Sequence, residues 1–358
     1  MFDANKTNKW SNAGEDATRY CIQTFWDEKA NRFRPEQPMG PKALPWDFMW
    51  ANGIAFSMLV GAVRHNPAFY RPYLDRFFEG LHGYWDRDAP VPGYDAYLAS
   101  PNGDDKYYDD NAWMVITFSE AYDLTGERRF LVRAVQTMDY VLSGWDEKLG
   151  GGIYWRQDHK SKNTCSNAPS AHAALVLYRQ TKDQRYLDWA TRIVNWTKRT
   201  LQAPNNLYWD NQNIANGEIE KTQWTYNTAL MIRSHLGLYR ATQDRRHLTE
   251  AERLAVASEK EFVRPDTQAF RDEANFSHLL CEAYLDLWRE TRQDWLHRRV
   301  EANGEFVLRH LRDRDGGFWT KWRIEPKREE ARKTLMANAS TTRLLWELAH
   351  ARDQNRKA

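Results

Sequence analysis

The sequence is poor in the features that mark several common classes of protein. Only three of its 358 residues are cysteines, and Cys21, Cys165 and Cys281 lie too far apart for a metal-binding spacing. We therefore expect free, buried thiols and no metal site. Lys and Arg number 51 against 49 Asp and Glu, a near balance that excludes nucleic-acid binding driven by a basic surface. The longest apolar run, 55–63, is too short to span a membrane.

Several catalytic and targeting signatures are missing as well. The sequence has no Gly-x-Ser-x-Gly elbow and no His-Glu-x-x-His motif, and no Lys-Ser/Thr follows the glycines at 150–152 and 316–317. These absences argue against a serine-hydrolase elbow, a zinc protease and a phosphate-binding loop, and we expect no cofactor. The first residues show neither a basic segment nor an apolar stretch of a signal peptide, which leaves the compartment open.

Aromatic residues, by contrast, are abundant. The chain holds 17 Trp, 17 Tyr and 15 Phe, although its mean hydropathy is only −0.82. Disordered chains are poor in aromatics, so this composition indicates a folded protein. A core uses some of these rings, and a cleft in which flat rings stack on pyranose faces would use the rest.

One sequence pattern recurs and divides the chain into repeats. Tyr-x-x-Thr-x-acid-x-Arg-x-Leu occurs at 122–131, 178–187 and 239–248, with weaker copies near 63–70 and 288–291. Each copy lies between an apolar helical pattern and an amphipathic one. The Thr-x-acid segments therefore predict tight turns between paired helices, with the acid at the N-terminus of the second helix.

Extended along the chain, the repeat predicts six helical hairpins in one domain, residues 1–358. Amphipathic helices, which we place outside, are predicted at 14–28, 69–86, 127–144, 184–202, 245–262 and 293–313. More apolar helices, which we place inside, are predicted at 46–64, 109–124, 164–181, 223–242, 273–291 and 333–351. Twelve alternating helices with an apolar inner set favour an all-α (α/α)6 toroid over an open α-solenoid.

The connections that follow the outer helices are long, whereas the turns that follow the inner helices have three or four residues. The long connections are predicted at 29–45, 87–108, 145–163, 203–222, 263–272 and 314–332. Such loops usually carry function, and all six belong to the end where the inner helices begin. Eight of the 17 Trp fall at that end: Trp46, Trp50, Trp113, Trp155, Trp209, Trp224, Trp319 and Trp322. A stacking cleft for sugars is therefore predicted there.

Asp109 and Asp110 carry the sharpest chemical interpretation. Neighbouring carboxylates at a helix start point about 100° apart and reach one substrate from different sides. Glycoside hydrolysis needs such a pair, one as acid and one as nucleophile or base. The alternative is that both are ordinary first-turn residues, which Asp often is. The flanking Tyr107, Tyr108 and Trp113 favour catalysis.

Other polar and aromatic residues at the same end are candidate sugar contacts. Asn163 and Asn167 share one helix face and suit a ligand rich in hydroxyl groups, although both could also cap the helix. Tyr226 and Asn227 could serve packing and capping, and Asp210 could be a solvated loop residue. The candidate binding set is Trp46, Asp47, Tyr108, Trp113, Asn163, Asn167, Asp210, Trp224, Tyr226 and Asn227.

Four ordered segments together resemble glycoside hydrolase family 76, a family of endo-acting α-1,6-mannanases with an (α/α)6 fold. They are 107–113 (Tyr-Tyr-Asp-Asp-Asn-Ala-Trp), 150–155 (Gly-Gly-Gly-Ile-Tyr-Trp), 162–167 (Lys-Asn-Thr-Cys-Ser-Asn) and 225–227 (Thr-Tyr-Asn). The resemblance covers residues 40–245 well and the remainder mainly by the repeat. It implies a retaining mechanism with Asp109 as nucleophile and Asp110 as general acid/base. It also implies that Asp210 binds substrate and that the ligand is an α-mannan-like oligo- or polysaccharide. Separately from the resemblance, we expect a monomer.

The sequence departs from the family pattern in its later part. Thr228 and Ala229 follow the Tyr-Asn motif where the family tends to carry Gly, and 275–280 lacks the Lys-Gly that the family commonly shows. Both changes fall where sugars beyond the cleaved bond should bind, so the glycan stays open. Other functions known for (α/α)6 proteins also stay open: an unsaturated-uronide hydrolase, a sugar 2-epimerase with His278 as base, or a non-catalytic glycan binder. Family habit suggests an extracellular or periplasmic place for a mature domain, and otherwise the cytoplasm.

Overall fold

The computed structural model describes residues 4–98, 105–324 and 332–351, with side chains from residue 9 onward. Segments 99–104 and 325–331 of two predicted long connections lie outside the described residues. The helices of the described part are α1 (Ala4–Phe25), α2 (Met49–His65), α3 (Pro67–Leu81), α4 (Tyr108–Thr125), α5 (Arg128–Ser143), α6 (Thr164–Thr181), α7 (Gln184–Leu201), α8 (Thr225–Thr242), α9 (Arg245–Phe262), α10 (Ala274–Thr291), α11 (Asp294–Phe306) and α12 (Leu335–Ala349). The twelve predicted helices are thereby confirmed.

Contacts divide the chain into two compact units, and the prediction of a single domain stays a prediction. One unit comprises Met1–Gly83 with Phe262–Lys357, and the other comprises Tyr84–Glu261. In the first unit α12 packs on α1, α2 and α10, while α2 packs on α3 and α10 on α11. In the second unit α6 packs on α4, α7 and α8, and α4 packs on α5. None of the helices in the described ranges is long and apolar enough to cross a membrane.

The two helices of each hairpin differ in burial as their sequences predict. In α5 the buried residues Phe130, Ala134, Met138 and Val141 lie on one face, at the spacing of an amphipathic helix. In α2 residues 51–63 are all buried, so this helix is enclosed on every side. The sequence pattern therefore distinguishes the two kinds of helix correctly.

The tight turns form as the Thr-x-acid repeat predicts. At the end of α4 the hydroxyl of Thr125 donates to the carbonyl of Ala121 (2.7 Å) and accepts from the amide of Glu127 (3.2 Å). Between them Gly126 takes a left-handed conformation with φ of 71°, the usual way to end a helix. Lys182 and Gln243 adopt the same conformation after α6 and α8, with φ of 61° and 60°.

The first helix differs from its prediction at both ends. It begins at Ala4 rather than 14, because Trp10, Ala13 and Ala17 continue its buried face toward the N-terminus. It ends at Phe25, because the next two residues pair as a strand.

Nine short strands, none of them predicted, shape the long connections of the described part. They are β1 (Trp26–Asp27), β2 (Arg32–Phe33), β3 (Glu36–Gln37), β4 (Trp85–Asp86), β5 (Gly93–Tyr94), β6 (Ser161–Asn163), β7 (Asn211–Asn213), β8 (Ile219–Glu220) and β9 (Lys333–Thr334). Strands β6, β7 and β8 form one antiparallel sheet, which joins the connections that precede α6 and α8.

A strand-like pair closes the base of all six connections. In each, a residue just after an amphipathic helix pairs antiparallel with a later residue of the same connection. The pairs are Trp26–Phe33, Trp85–Tyr94, Trp145–Ile153, Gln202–Tyr208, Val263–Phe270 and Arg312–Phe318. The segments between the paired residues are thus hairpin-like loops, built alike because the chain is repetitive.

Every apolar helix carries an asparagine in its first turn, between the second and the fourth residue of the helix. The six residues are Asn52, Asn111, Asn167, Asn227, Asn275 and Asn338. In three of them the amide accepts from the backbone N–H of the loop-closing residue and donates to its carbonyl. These bonds join Asn111 to Tyr94, Asn167 to Ile153 and Asn338 to Phe318. The helix start and the base of the loop are therefore one hydrogen-bonded unit.

A buried lysine five residues before the asparagine completes the same three anchors. Lys106 binds Asp86 and Asp95 at 2.6 and 2.8 Å. Lys162 binds the Asp146 carboxylate at 2.5 Å. Lys333 pairs in the same way with two carboxylates, Asp313 and Asp315. Each buried cation is neutralised by the loop that it holds, which offsets the cost of burying it. We call these three Lys–Asn pairs the loop anchors.

The loop anchors predict that alanine substitutions at two buried first-turn asparagines, Asn167 and Asn227, lower the free energy of unfolding by different amounts. Replacing Asn167 by alanine leaves three backbone groups, on Ile153 and Asn163, without their partner, and should lower the free energy of unfolding by about 3 kcal/mol. Asn227 is equally buried, but its amide atoms make no hydrogen bond of normal geometry, so Asn227→Ala takes no partner from the backbone and should cost less than about 1 kcal/mol. Urea unfolding followed by circular dichroism measures both. Equal losses in the two variants would contradict the role of the anchors.

Candidate active site

The two neighbouring carboxylates lie in the first turn of α4. This turn is fixed from outside the helix, because the amide of Tyr108 donates to the carbonyl of Trp155 (3.0 Å). Tyr107, the residue before the helix, forms a strand-like pair with Arg156. The loop that precedes α6 therefore determines where Asp109 and Asp110 point.

Asp109 accepts three hydrogen bonds. Its Oδ2 accepts from the Trp155 indole Nε1 (3.0 Å) and from the Cys165 thiol (3.5 Å), while its Oδ1 accepts from the backbone amide of Asp110 (3.0 Å). Burial among protein atoms raises the pKa of Asp109 to about 7, and these three donors act against that rise by favouring the ionised form.

Asp110 has the opposite surroundings. Its side chain is buried, with 7% of the residue exposed. Burial and the charge of Asp109 both raise its pKa well above the ordinary value, and no donor among the described residues opposes them. The pair is therefore asymmetric: when it carries one proton, that proton belongs on Asp110 and the charge on Asp109. Acid-assisted displacement at a sugar requires a pair of carboxyl groups of which one is ionised and the other protonated.

Two residues from the predicted binding set join three apolar helices beside this pair. The indole Nε1 of Trp113, on α4, donates to the hydroxyl of Tyr226, on α8 (2.6 Å). That hydroxyl in turn donates to the carbonyl of Cys165 at the start of α6 (3.2 Å). Trp113 and Tyr226 are only 2% and 3% exposed, so they position the helices around the pair rather than offer open stacking faces.

Three further predicted residues belong to the framework. Tyr108 is buried and stacks on Tyr140, with ring centroids 5.0 Å apart. Asn163 is buried and accepts from the Ser161 hydroxyl (2.6 Å), and its carbonyl accepts from the amide of Asn167 (2.8 Å). Because Asn167 is fully buried and its amide is taken up by backbone groups, it forms a loop anchor instead of an exposed sugar contact.

Asp210, Trp224 and Asn227 form a second polar group in the same unit. The backbone carbonyl of Asp210 accepts from the amide of Thr164, the first residue of α6 (2.8 Å). Burial raises the pKa of the Asp210 carboxyl, while Asn211, Asn227 and Trp224 act against that rise. The amide atoms of Asn227 are buried and make no hydrogen bond of normal geometry. Asn227 thus keeps polar capacity that the well-formed hydrogen bonds of the fold do not use.

Trp46 and Asp47 belong to the other compact unit, directly before α2. Asp47 is buried and its Oδ1 accepts from the amide of Phe48 (2.9 Å). Burial raises the pKa of its carboxyl to about 7. Trp46 is half-buried. Their part in sugar binding stays a prediction.

Cys165 is the residue that the sequence interpretation missed. All three cysteines are free, as predicted, but only Cys21 and Cys281 are fully buried; Cys165 is half-buried and lies against Asp109. Its position at the start of an apolar helix, two residues after Asn163, is the only sequence signal for a contact with the carboxylate pair.

No group of three or more His, Cys, Asp or Glu able to hold a metal occurs in the described ranges.

Comparison with known proteins gives one family. The model of glycosyl hydrolase family 76 matches residues 9–349. A GH76 α-mannanase of Bacteroides thetaiotaomicron superposes with a TM-score of 0.88 at 24% identity, covering 95% of both chains. An inactive α-1,6-mannanase variant of Salegentibacter sp., with two consecutive aspartates replaced by asparagine and α-1,6-mannotriose bound, has a TM-score of 0.82 at 23% identity. That match covers 96% of this chain and 99% of the other. These likenesses confirm the predicted all-α (α/α)6 fold.

Two curated relatives match shorter stretches. The mannan endo-1,6-alpha-mannosidase DCW1 of Candida glabrata is 35% identical over 109 residues, which are 27% of this chain and 24% of that protein. The meiotically up-regulated gene 191 protein of Schizosaccharomyces pombe is 26% identical over 243 residues, 62% of this chain and 53% of that protein. The matched region thus spans about half, or less, of the length of these relatives.

Proposed function

Because the chain belongs to glycosyl hydrolase family 76, we propose that it is a retaining endo-α-1,6-mannanase in which Asp109 is the nucleophile and Asp110 the general acid/base. The observation that carries the assignment of roles is the asymmetry of the pair. Asp109 has three hydrogen-bond donors that favour its charge, whereas Asp110 is buried next to that charge and holds the proton.

The reaction then proceeds in two displacements. The Asp109 carboxylate attacks the anomeric carbon while Asp110 transfers its proton to the departing glycosidic oxygen, which leaves as the hydroxyl of the next sugar. Asp110, now ionised, removes a proton from water, whose oxygen attacks the anomeric carbon and displaces Asp109. Two inversions restore the α configuration, and both carboxyl groups return to their starting protonation states.

The relatives support the same substrate class. The Salegentibacter protein is called an α-1,6-mannanase, and its variant with two consecutive aspartates replaced is inactive and holds α-1,6-mannotriose. The consecutive aspartates 109 and 110 are the pair that this chain places at the start of an apolar helix. Asp210, Trp224 and Asn227 are proposed as sugar contacts in the same unit, and Trp46 and Asp47 as further contacts.

The epimerase alternative finds no support in the structure. His278 is fully buried, and its Nδ1 lies 2.8 Å from the carbonyl of Ala274 in its own helix. Such an imidazole is part of the core, where it does not meet a free sugar.

The proposal is tested by digesting linear α-1,6-mannan and following the first product by proton NMR. We expect α-configured reducing ends to form first and oligosaccharides of several lengths to accumulate. Initial β product would overturn the retaining mechanism, and release of mannose alone would overturn endo action. An α-1,3-linked glucan serves as control substrate and should not be cleaved. If the α-1,6-mannan is not cleaved either, the substrate assignment is overturned.

A further inference from the structure

We propose that Trp155 and Cys165 are positioning residues that keep the negative charge of the carboxylate pair on Asp109. The inference rests on the proposed function, since it explains how one of two adjacent aspartates becomes the nucleophile. Neither Trp155 nor Cys165 forms a bond to the sugar or transfers a proton in the proposed reaction.

The geometry is a convergence of two donors on one oxygen. The indole Nε1 of Trp155 lies 3.0 Å, and the thiol of Cys165 3.5 Å, from Oδ2 of Asp109. The first comes from the loop before α6 and the second from the first turn of α6. Two donors from different directions fix the plane of the carboxylate as well as its charge.

Trp155 is held by its backbone, so its indole has a defined direction. Its amide donates to the carbonyl of Ser161 (3.0 Å), and its own carbonyl accepts from Tyr108 at the start of α4 (3.0 Å). The helix that carries Asp109 and the donor that binds its carboxylate are therefore fixed to each other. Trp155 is 41% exposed, so its side chain can lose the N–H without disturbing a core.

Cys165 is held just as firmly. Its carbonyl accepts from the hydroxyl of Tyr226 (3.2 Å), and its neighbour Thr164 donates to the carbonyls of Trp209 (2.6 Å) and Asp210 (2.8 Å). Burial and the charges of Asp109 and Asp210 raise the pKa of the thiol well above its usual value, so the sulfur keeps its proton and acts as the donor.

The groups that face Asp109 from neighbouring elements are acids or neutral donors. They are Asp110 on its own helix, Cys165 on α6 and Tyr226 on α8, with Asp210 acting through the thiol. Burial raises the pKa of Tyr226 as well, so the phenol stays neutral. Around Asp109, hydrogen-bond donors are thus the means by which its charge is favoured over that of Asp110.

Removing a donor should move the proton within the pair. The variants are Trp155→Phe, which keeps a ring but loses the N–H, and Cys165→Ala, with Cys165→Ser as the matched control that keeps a donor. Asp109 is titrated directly by carbon-13 NMR of aspartate carboxyl carbons, its signal being the one lost in Asp109→Asn. We expect its pKa to rise by about one unit in Trp155→Phe, by less in Cys165→Ala because a thiol is the weaker donor, and to stay near the parent value in Cys165→Ser.

The same variants give a kinetic signature that a merely structural role lacks. The acidic limb of kcat/KM should move to higher pH in Trp155→Phe and Cys165→Ala, while activity between the limbs falls several-fold and KM changes little. An unchanged titration of Asp109 in both variants would overturn the proposal. So would a Cys165→Ser variant that behaves like Cys165→Ala. Because the NMR titration needs no substrate, it answers even if the protein proves inactive on α-1,6-mannan, an outcome that would count against the proposed function alone.

Discussion

Asp109→Asn is expected to reduce kcat/KM on α-1,6-mannan by about 10⁴-fold or more, because the amide cannot form the glycosyl-enzyme ester. Asparagine has the same shape, so the fold and the affinity for α-1,6-mannotriose should persist. The measurements are steady-state rates, and calorimetric titration with the trisaccharide.

The matched control for this variant lies on the same helix. Asp123, near the C-terminal end of α4, pairs with Arg179 and accepts from Gln180 (2.9 Å), remote from the first turn. Asp123→Asn should retain activity within about twofold, as expected for a substitution away from the reacting groups. A loss smaller than about tenfold in Asp109→Asn would exclude Asp109 as the nucleophile.

Asp110→Ala should lower kcat on α-1,6-mannan by about 10³-fold, because the departing sugar oxygen is not protonated and water is not activated. With an activated aryl α-1,6-mannobioside the leaving group needs no acid, so the first step should proceed and hydrolysis of the intermediate should limit the rate. Because Asp110 is still protonated at the pH where Asp109 ionises, the acidic limb of the pH profile should stay near its parent position, whereas the basic limb, which reports Asp110, should disappear.

Sodium azide separates the two roles. In Asp110→Ala, azide should attack the glycosyl-enzyme from the side of the missing base, restore turnover and give the α-mannosyl azide. In Asp109→Ala, azide should take the place of the nucleophile and give the β-mannosyl azide. Proton NMR of the isolated azides distinguishes the anomers. If the anomers are exchanged between the variants, the roles of the two aspartates are the reverse of those proposed.

The helices were predictable because their signals are local. The bounds of α6 and α9 agree with the prediction at both ends, since apolar periodicity and a Thr-x-acid turn mark them in the sequence. The strand pairs at the base of the connections were not predictable in this way. A pair such as Trp145 with Ile153 has no alternating run of its own and depends on Asn167 of the next helix. The recurrent Lys-x-x-x-x-Asn spacing at 106–111, 162–167 and 333–338 was the available signal.

In the candidate site, residues adjacent in sequence were easier to interpret than residues related only by helical spacing. Asp109 and Asp110 are recognisable as a pair because nothing but their own sequence brings them together. Asn167 has the spacing of a ligand contact, yet its partner is the backbone of Ile153, far earlier in the loop. The direction of the Cys165 thiol depends on how α6 packs on α4, which a single sequence does not reveal.

The strand-like pairs at the base of the connections fix the positions of the flanking helices, while the length of the chain beyond each pair is free to vary. Tyr94 pairs with Trp85 after α3 and is hydrogen-bonded to Asn111 of α4, so chain inserted between Trp85 and Tyr94 leaves both of these contacts in place. Doubling the length of a flexible loop costs only about 0.6 kcal/mol in closure entropy. Each loop that is held by an anchor is thus a site for loop grafting. A new recognition segment can replace the native one there while the helix that holds Asp109 and Asp110 keeps its place.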